Sequence, residues 1–340
     1  MELDVAALRV VERLVLRPHA ATLRVVDKGS GAELVLKTSW APAAGAAAAA
    51  EAELFACADA YSPHLLPCAG AVRNPAGPGL ALVYRYLPGG SLDAAASSAA
   101  SALAAASAVG SALAALHAAQ ESGWWSEPIV HGDVKPANVL VDADGTMILA
   151  DYGVSSPVRA ARADAGADVA GFAGSPAYAS PHATAGYPPS PADDMWSLGV
   201  VLYQLALGCL PDFDVATGAL LRGLPDFCAA PGASQADAET LRALVAGLLT
   251  LDPAERLTAA ETLALLGINP PPAAPPQAAP SPTQPAPAAP APAAPSRAAP
   301  PPAVLPSSTR ERPRGRIKVA GRSSSSLSAE ELAMITKVPR

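Results

Sequence analysis

Aromatic residues are scarce in this 340-residue chain, at 4%, and charged residues reach only 16%. Half of the composition is hydrophobic (51%), but much of that is alanine, so any core must be close-packed from small side chains. Cysteine is also rare. Cys57, Cys68, Cys209 and Cys228 are scattered, and no two form a C-x-x-C pair. That spacing excludes a disulfide framework and a zinc knuckle, and it fits a reducing compartment. The first residues, Met1-Glu2-Leu3-Asp4, are acidic, and no apolar core of a signal peptide follows. A cytoplasmic location is therefore expected, with the nucleus left open. The net charge of −7 argues against a general nucleic-acid binder. No strongly apolar run of membrane length is expected either. Ala94 to Ala119 is uncharged, but alanine is weakly apolar, and serines and His117 interrupt the run.

Proline is abundant, and it is unevenly placed. Residues 270–306 are almost wholly Pro, Ala, Ser and Gln, which cannot bury a core. Charge divides at the same boundary. Residues 269–340 hold nine Lys/Arg against three Asp/Glu, a net of +6, so the −7 chain leaves −13 on residues 1–268. We expect a folded domain over 9–268 and a disordered tail over 269–340. The tail's PxxP spacings would suit an SH3-like partner or a plain spacer. Its basic cluster from Arg310 to Lys318 would suit an acidic partner, anionic lipid or the acidic domain itself. Ser323 to Ser326 follow, and Ser328-Ala329-Glu330-Glu331 has the pattern of a capping box.

Within the domain the most informative stretch is His131-Gly132-Asp133-Val134-Lys135-Pro136-Ala137-Asn138-Val139-Leu140. Thirteen residues after Asn138 comes Asp151-Tyr152-Gly153. Between them two apolar runs flank Asp142-Ala143-Asp144-Gly145, which reads as a hairpin that returns Asp151 beside Asn138. The loop resembles the H-R-D-L-K-P-x-N catalytic loop of eukaryotic protein kinases, and Asp151-Tyr152-Gly153 resembles their D-F-G. The resemblance implies an α+β, bilobal fold. A β-rich N-lobe over about 9–87 would carry one main helix, and a mostly helical C-lobe would span about 88–268. It also implies roles. Asp133 would accept the proton of an attacking hydroxyl, Lys135 would neutralise the phosphoryl group, and Asn138 and Asp151 would hold Mg²⁺ for ATP.

Other stretches extend the resemblance. Residues 9–17, 21–27 and 32–38 read as three strands, which puts Lys37 where the V-A-I-K lysine contacts phosphates. Ala43 to Ala60 reads as a helix. Its Glu53, ten residues before Pro63, has the spacing of the glutamate that pairs with that lysine, and Glu51 is the second candidate. Leu80 to Leu92 resembles the last N-lobe strand and the hinge. Backbone groups of Arg85 and Leu87 would then bind adenine, Tyr84 would be the gatekeeper, and Val35 and Leu140 would sandwich the ring. Leu103, Leu113 and Leu116 mark one helix. Gly174-Ser175-Pro176-x-Tyr178-x-Ser180-Pro181 resembles G-T-P-x-Y-x-A-P, with Ser175 against the catalytic aspartate and lysine. Asp194-x-Trp196-Ser197-x-Gly199 resembles the central C-lobe helix, whose aspartate braces the catalytic loop. Residues 241–250 and 258–266 read as the last two helices.

Five positions, in three places, depart from the family pattern. Aligned from Lys37, the three positions of the glycine-rich loop are Val15, Arg17 and Ala20, so backbone cannot fold bare over phosphates. Arg17 or His19 would have to supply charge instead. Gly132 replaces the loop arginine, so an activation-loop phosphate has no partner there. His182 replaces the glutamate that would pair with Arg256, which requires either that Arg256 be partly exposed or that another carboxylate serve. Lys135-Pro136 points to Ser/Thr rather than Tyr substrates. The expected activity is transfer of the ATP γ-phosphate to a protein hydroxyl. A pseudokinase that signals by binding is the alternative, and a small-molecule kinase of the same fold is disfavoured by the Ser175-Pro176 and Asp194-Trp196 motifs.

Overall fold

The computed structural model describes residues 5–17, 20–39, 51–52, 55–75, 80–152, 156–157, 174–214 and 218–269. Pro18, His19, residues 40–50 at the start of the 43–60 stretch, Glu53, residues 153–155 and 158–173, and the Pro-rich tail, with its proposed SH3-like and acidic partners, lie outside the described residues.

The N-terminal part is one antiparallel sheet. Its strands are β1 (Leu8–Arg17), β2 (Ala20–Asp27), β3 (Glu33–Ser39), β4 (Cys68–Arg73) and β5 (Leu80–Arg85), in the order β1-β2-β3-β5-β4. Side chains alternate between the two faces of a strand, and here each face enters a different core. Ala21, Leu23, Val25, Leu36, Ala81 and Val83 pack together on one face. Leu82 and Tyr84 on the other face join the main core beneath the sheet, with Val35 packed against it. Lys37, two residues after Val35 on β3, therefore points to the same side as Val35. The β4 strand was not anticipated from sequence. Its Cys68-Ala69-Gly70-Ala71 start has little strand propensity, and the pairing slips between Cys68 and Gly70.

The C-terminal part is built on α1 (Ala99–His117), α2 (Pro191–Leu207), α3 (Gln235–Leu248) and α4 (Ala259–Leu265). By length and composition α1 could cross a membrane. Ala102, Ala105, Ala106, Val109, Leu113 and Leu116 are nevertheless fully buried, and the helix packs on α2, α3 and α4. Small residues permit the close approach. A methyl group at Gly199 of α2 would sit 2.8 Å from Leu249 and 2.9 Å from Leu248. The sequence reading placed the start of α3 six residues late. Ser234 and Asp237 form a capping box that begins the helix ahead of its first buried leucine, Leu241.

Two short two-stranded sheets complete the described strands. β6 (Ile129–Val130) precedes the catalytic-type loop and pairs with β9 (Ser156–Pro157), while β7 (Val139–Val141) follows the loop and pairs with β8 (Met147–Leu149). The expected hairpin is therefore present. The chain after β5 is tied to it by Gly89 N donating to Val141 O (3.0 Å) and Val141 N donating to Gly90 O (2.8 Å). A side chain at Gly89 would meet Val141 O at 2.7 Å, so that crossing needs glycine.

Candidate active site

The loop between β6 and β7 is held from below by one buried carboxylate. Asp194, in the first turn of α2, accepts the backbone N–H of His131 and of Gly132, both at 2.8 Å, and lies 3.0 Å from His117 Nε2. The left-handed backbone of Gly132 (φ 81°) lets both amides turn toward it. His131 is fully buried. Its Nδ1 accepts from Asp133 N (3.2 Å), and its Nε2 donates to Ala150 O (3.2 Å). Burial pushes its pKa below the ordinary value, which favours the neutral ring, and the two hydrogen bonds select this tautomer.

With the loop backbone fixed, its side chains converge. Asn138 Nδ2 donates to Asp133 O (2.8 Å) and to Asp133 Oδ2 (3.0 Å). Lys135 Nζ donates to the same Oδ2 and to Ser175 Oγ, the latter at 2.7 Å. Ser175 thus meets the lysine as expected, and Lys135 bridges it to Asp133. The other oxygen, Asp133 Oδ1, is buried and has no hydrogen-bond partner among the described residues. A buried carboxylate oxygen without a donor is costly. One donor supplied from outside, such as a hydroxyl, would satisfy it.

A second cluster faces the first. Asp151 follows β8 with φ 66°, a left-handed conformation that costs energy outside glycine. Its Oδ1 lies 2.6 Å from Lys37 Nζ. Lys37 Nζ also lies 3.5 Å from Glu51 Oε1. Burial presses the Lys37 pKa down, but the charges of Asp151 and Glu51 outweigh it and raise it above the ordinary value. The sequence reading preferred Glu53 for this pairing. Glu53 lies outside the described residues, and Glu51 makes the contact. The side chain of Glu51 is 10% exposed, and its Oε1 also accepts from the Tyr84 hydroxyl at 2.6 Å.

Spacing on the helix explains why Glu51 points inward. Phe55, four residues on, is buried, and positions i and i+4 share a helix face. The Phe55 ring stacks on Tyr152 (centroids 3.7 Å apart) and meets Trp124 edge-on at 6.0 Å. The Tyr152 hydroxyl accepts from Leu66 N (2.8 Å) and donates to Leu149 O (2.9 Å). These rings fix the residue beside Asp151. Only the Phe55 spacing could have shown this from sequence.

Around the cleft, Leu87 is buried, Val35 and Leu140 are half-buried against the main core, and the Arg85 side chain reaches outward to Asp142. Val15, Arg17 and Ala20 lie in the β1–β2 ladder, where Val15 pairs with Thr22 and Arg17 with Ala20. The ladder slips twice in β1, and Val15 is left 43% exposed. No cluster of three His, Cys, Asp or Glu side chains with metal-site geometry occurs among the described residues. The chemistry of Asp151 and Asn138 nevertheless suits a hard cation, which takes oxygen ligands and few protein groups. The Asn138 amide nitrogen is engaged on Asp133, which orients its carbonyl oxygen away from that residue.

Arg256 is 3% exposed, and among the described residues no carboxylate lies within ion-pair distance of it. Three carbonyl oxygens take its place: Ala192 (2.6 Å from Nη1), Thr250 (2.9 Å from Nε) and Leu251 (3.2 Å from Nη2). Desolvation lowers its pKa, opposed by the charges of Asp193 and Asp252. Neither alternative from the sequence holds, since backbone rather than water or a carboxylate partners the guanidinium. His182 instead stacks on Tyr187, with its buried Nδ1 3.3 Å from Asp193 Oδ1 but not aligned for a hydrogen bond.

Comparison with known proteins agrees with this geometry. A family profile described as the protein kinase domain matches residues 20–265. Among curated proteins, the chain is 37% identical over 140 residues to the serine/threonine-protein kinase PEPKR2 of Arabidopsis thaliana, covering 40% of this chain and 28% of that protein. It is 42% identical over 98 residues to the NUAK family SNF1-like kinase 2 of Rattus norvegicus, covering 28% and 14%. It is 35% identical over 139 residues to a calcium/calmodulin-dependent protein kinase kinase of Caenorhabditis elegans, covering 38% and 24%. The chain spans a third or less of the length of these curated relatives. Since the profile covers strands β2 to β5, the loop that carries Asp133 and helices α1 to α4, the chain belongs to the protein kinase domain family.

Proposed function

We propose that this chain is an ATP-dependent serine/threonine protein kinase, transferring the γ-phosphoryl group of ATP to a protein hydroxyl. The observation that carries the reading is the state of Asp133. One oxygen is occupied by Lys135 and Asn138, and the other is buried and, among the described residues, unpartnered. A substrate hydroxyl brought to Oδ1 would give its proton there as its oxygen bonds to phosphorus and the bond to the ADP oxygen breaks. Lys135 places a cation beside that oxygen, and Ser175 ties the lysine to the segment where a peptide would lie. Lys37 offers its ammonium to the phosphates once Asp151 is drawn elsewhere. Asn138 and Asp151 would hold the divalent ion, which when bound neutralises charge on the phosphoryl oxygens. Pro136 after Lys135, and the hydroxyl of Ser175, support Ser/Thr over Tyr as acceptor.

A second reading has its own observation. The positions of the glycine loop are Val15, Arg17 and Ala20, all within a paired ladder, so their Cβ atoms oppose close approach of backbone to phosphate. On that reading the domain binds and signals without turnover. The two readings divide on transfer of labelled phosphate from Mg·ATP to a generic basic protein. Loss of transfer in Asp133→Asn, by at least a hundredfold, is the expected result. No transfer from either protein, with nucleotide still raising the melting temperature, would favour the binding-only reading.

A further inference from the structure

We propose that the Tyr84 hydroxyl is a positioning group, setting Glu51 and through it Lys37 against the phosphate end of a bound nucleotide. This rests on the nucleotide-binding reading above and deepens it. Glu51 Oε1 has two donors at unequal distances, the Tyr84 hydroxyl at 2.6 Å and Lys37 Nζ at 3.5 Å. The first is a short bond to a charged acceptor, and the second is at the limit of a hydrogen bond. Lys37 is meanwhile closest to Asp151, at 2.6 Å. The contact that fixes the glutamate is therefore the phenol and not the ammonium.

The two donors differ in rigidity as well. Tyr84 stands in β5, paired with Val35 of β3 on one side and Cys68 of β4 on the other. It is 5% exposed, so its ring has little freedom. Lys37 carries its charge on a flexible four-carbon stem. Burial, reinforced by the Glu51 charge, raises the phenol pKa well above its ordinary value, so Tyr84 stays protonated and remains a donor. The sheet thus holds Glu51 through Tyr84, and Lys37 is left as a cation shared between two carboxylates, with one carboxylate already anchored. Without the hydroxyl, Glu51 would have Lys37 as its nearest donor and would draw it from the position facing Asp151.

The test compares nucleotides that do and do not carry phosphates. Calorimetry with the full chain would measure adenosine, Mg·ADP and Mg·ATP binding to the wild type and to Tyr84→Phe, which keeps the ring. The expected result is about a tenfold weaker Kd for Mg·ATP and Mg·ADP, the scale of one charge-assisted hydrogen bond, with adenosine within about twofold. Glu51→Gln in the Tyr84→Phe background should bring no further loss, because the carboxylate that draws Lys37 away is then gone. Tyr84→Gln, which restores a donor, should recover part of the loss. Should Tyr84→Phe fail to fold, Tyr84→Met fills the volume without a donor and carries the same comparison. Equal weakening of adenosine and Mg·ATP would overturn the proposal, since it would mean only a change in pocket shape. So would unchanged binding, or full additivity with Glu51→Gln. A wild type that binds neither adenosine nor Mg·ATP would overturn the nucleotide reading itself, and this proposal with it.

Discussion

At the scale of single residues, the site depends on which of two neighbouring glutamates faces inward. Spacing to Tyr61-Ser62-Pro63-His64-Leu65 favoured Glu53, whereas Lys37 is met by Glu51. The choice between them has a physical basis. Distance along the chain to a loop tolerates a slip of two residues, but a helix face does not. Buried Phe55, four residues on, marks the inward face, and Glu51 lies on it. Glu51→Gln should therefore lower phosphate transfer by tenfold or more, while Glu53→Gln stays near wild type. The reverse ranking in a peptide phosphorylation assay would sink this assignment. By contrast, Asp133, Lys135, Asn138 and Asp151 were legible because a short loop and a tight hairpin leave little room for slip. The Tyr84 hydroxyl was not legible, since its partner belongs to a helix distant in sequence.

At the scale of elements, the helices were read from apolar runs, and their ends were misplaced where caps rather than hydrophobes decide the boundary. The start of α3 at Gln235, set by Ser234 and Asp237, is one case. Contacts between helices were not legible at all. Gly199 of α2 and Gly110 of α1 look alike in sequence, yet an added methyl would meet Leu249 at 2.8 Å at Gly199 and Leu263 only at 3.4 Å at Gly110. Gly199→Ala should destabilise by about 1–3 kcal/mol through overpacking. Gly110→Ala, relieved of glycine's helix penalty, should be neutral or stabilising by up to about 1 kcal/mol. Thermal melts of the two variants check this, and equal shifts would refute it.

At the scale of the whole molecule, His131 links stability to pH. Its ring is buried and neutral, with its pKa pushed below the ordinary 6.5. Below that value the unfolded chain binds a proton that the folded chain refuses. The unfolded state then binds more protons, so stability falls as pH drops from about 6.5 toward the depressed folded value, and it is kept above 6.5. Melting temperatures between pH 7.5 and 5.5 should slope more steeply for the wild type than for His131→Phe, and parallel slopes would count against the argument.

Arg256 carries a consequence for residue 182. Its guanidinium ties the start of α2, at Ala192 O, to the segment behind α3, at Thr250 O and Leu251 O. An arginine held on three backbone carbonyls does not depend on a carboxylate at residue 182. That position has another neighbour instead. His182 Nδ1 lies 3.3 Å from Asp193, and Asp193 is committed to capping α2 through Ser190. His182→Glu, which restores the residue usual in the family, would set one carboxylate beside another. We expect that reversion to lower the melting temperature, by about 1 kcal/mol in stability, and a higher melting temperature would show that the old pair can still form. A consensus residue can thus become a lesion once its neighbours have settled without it.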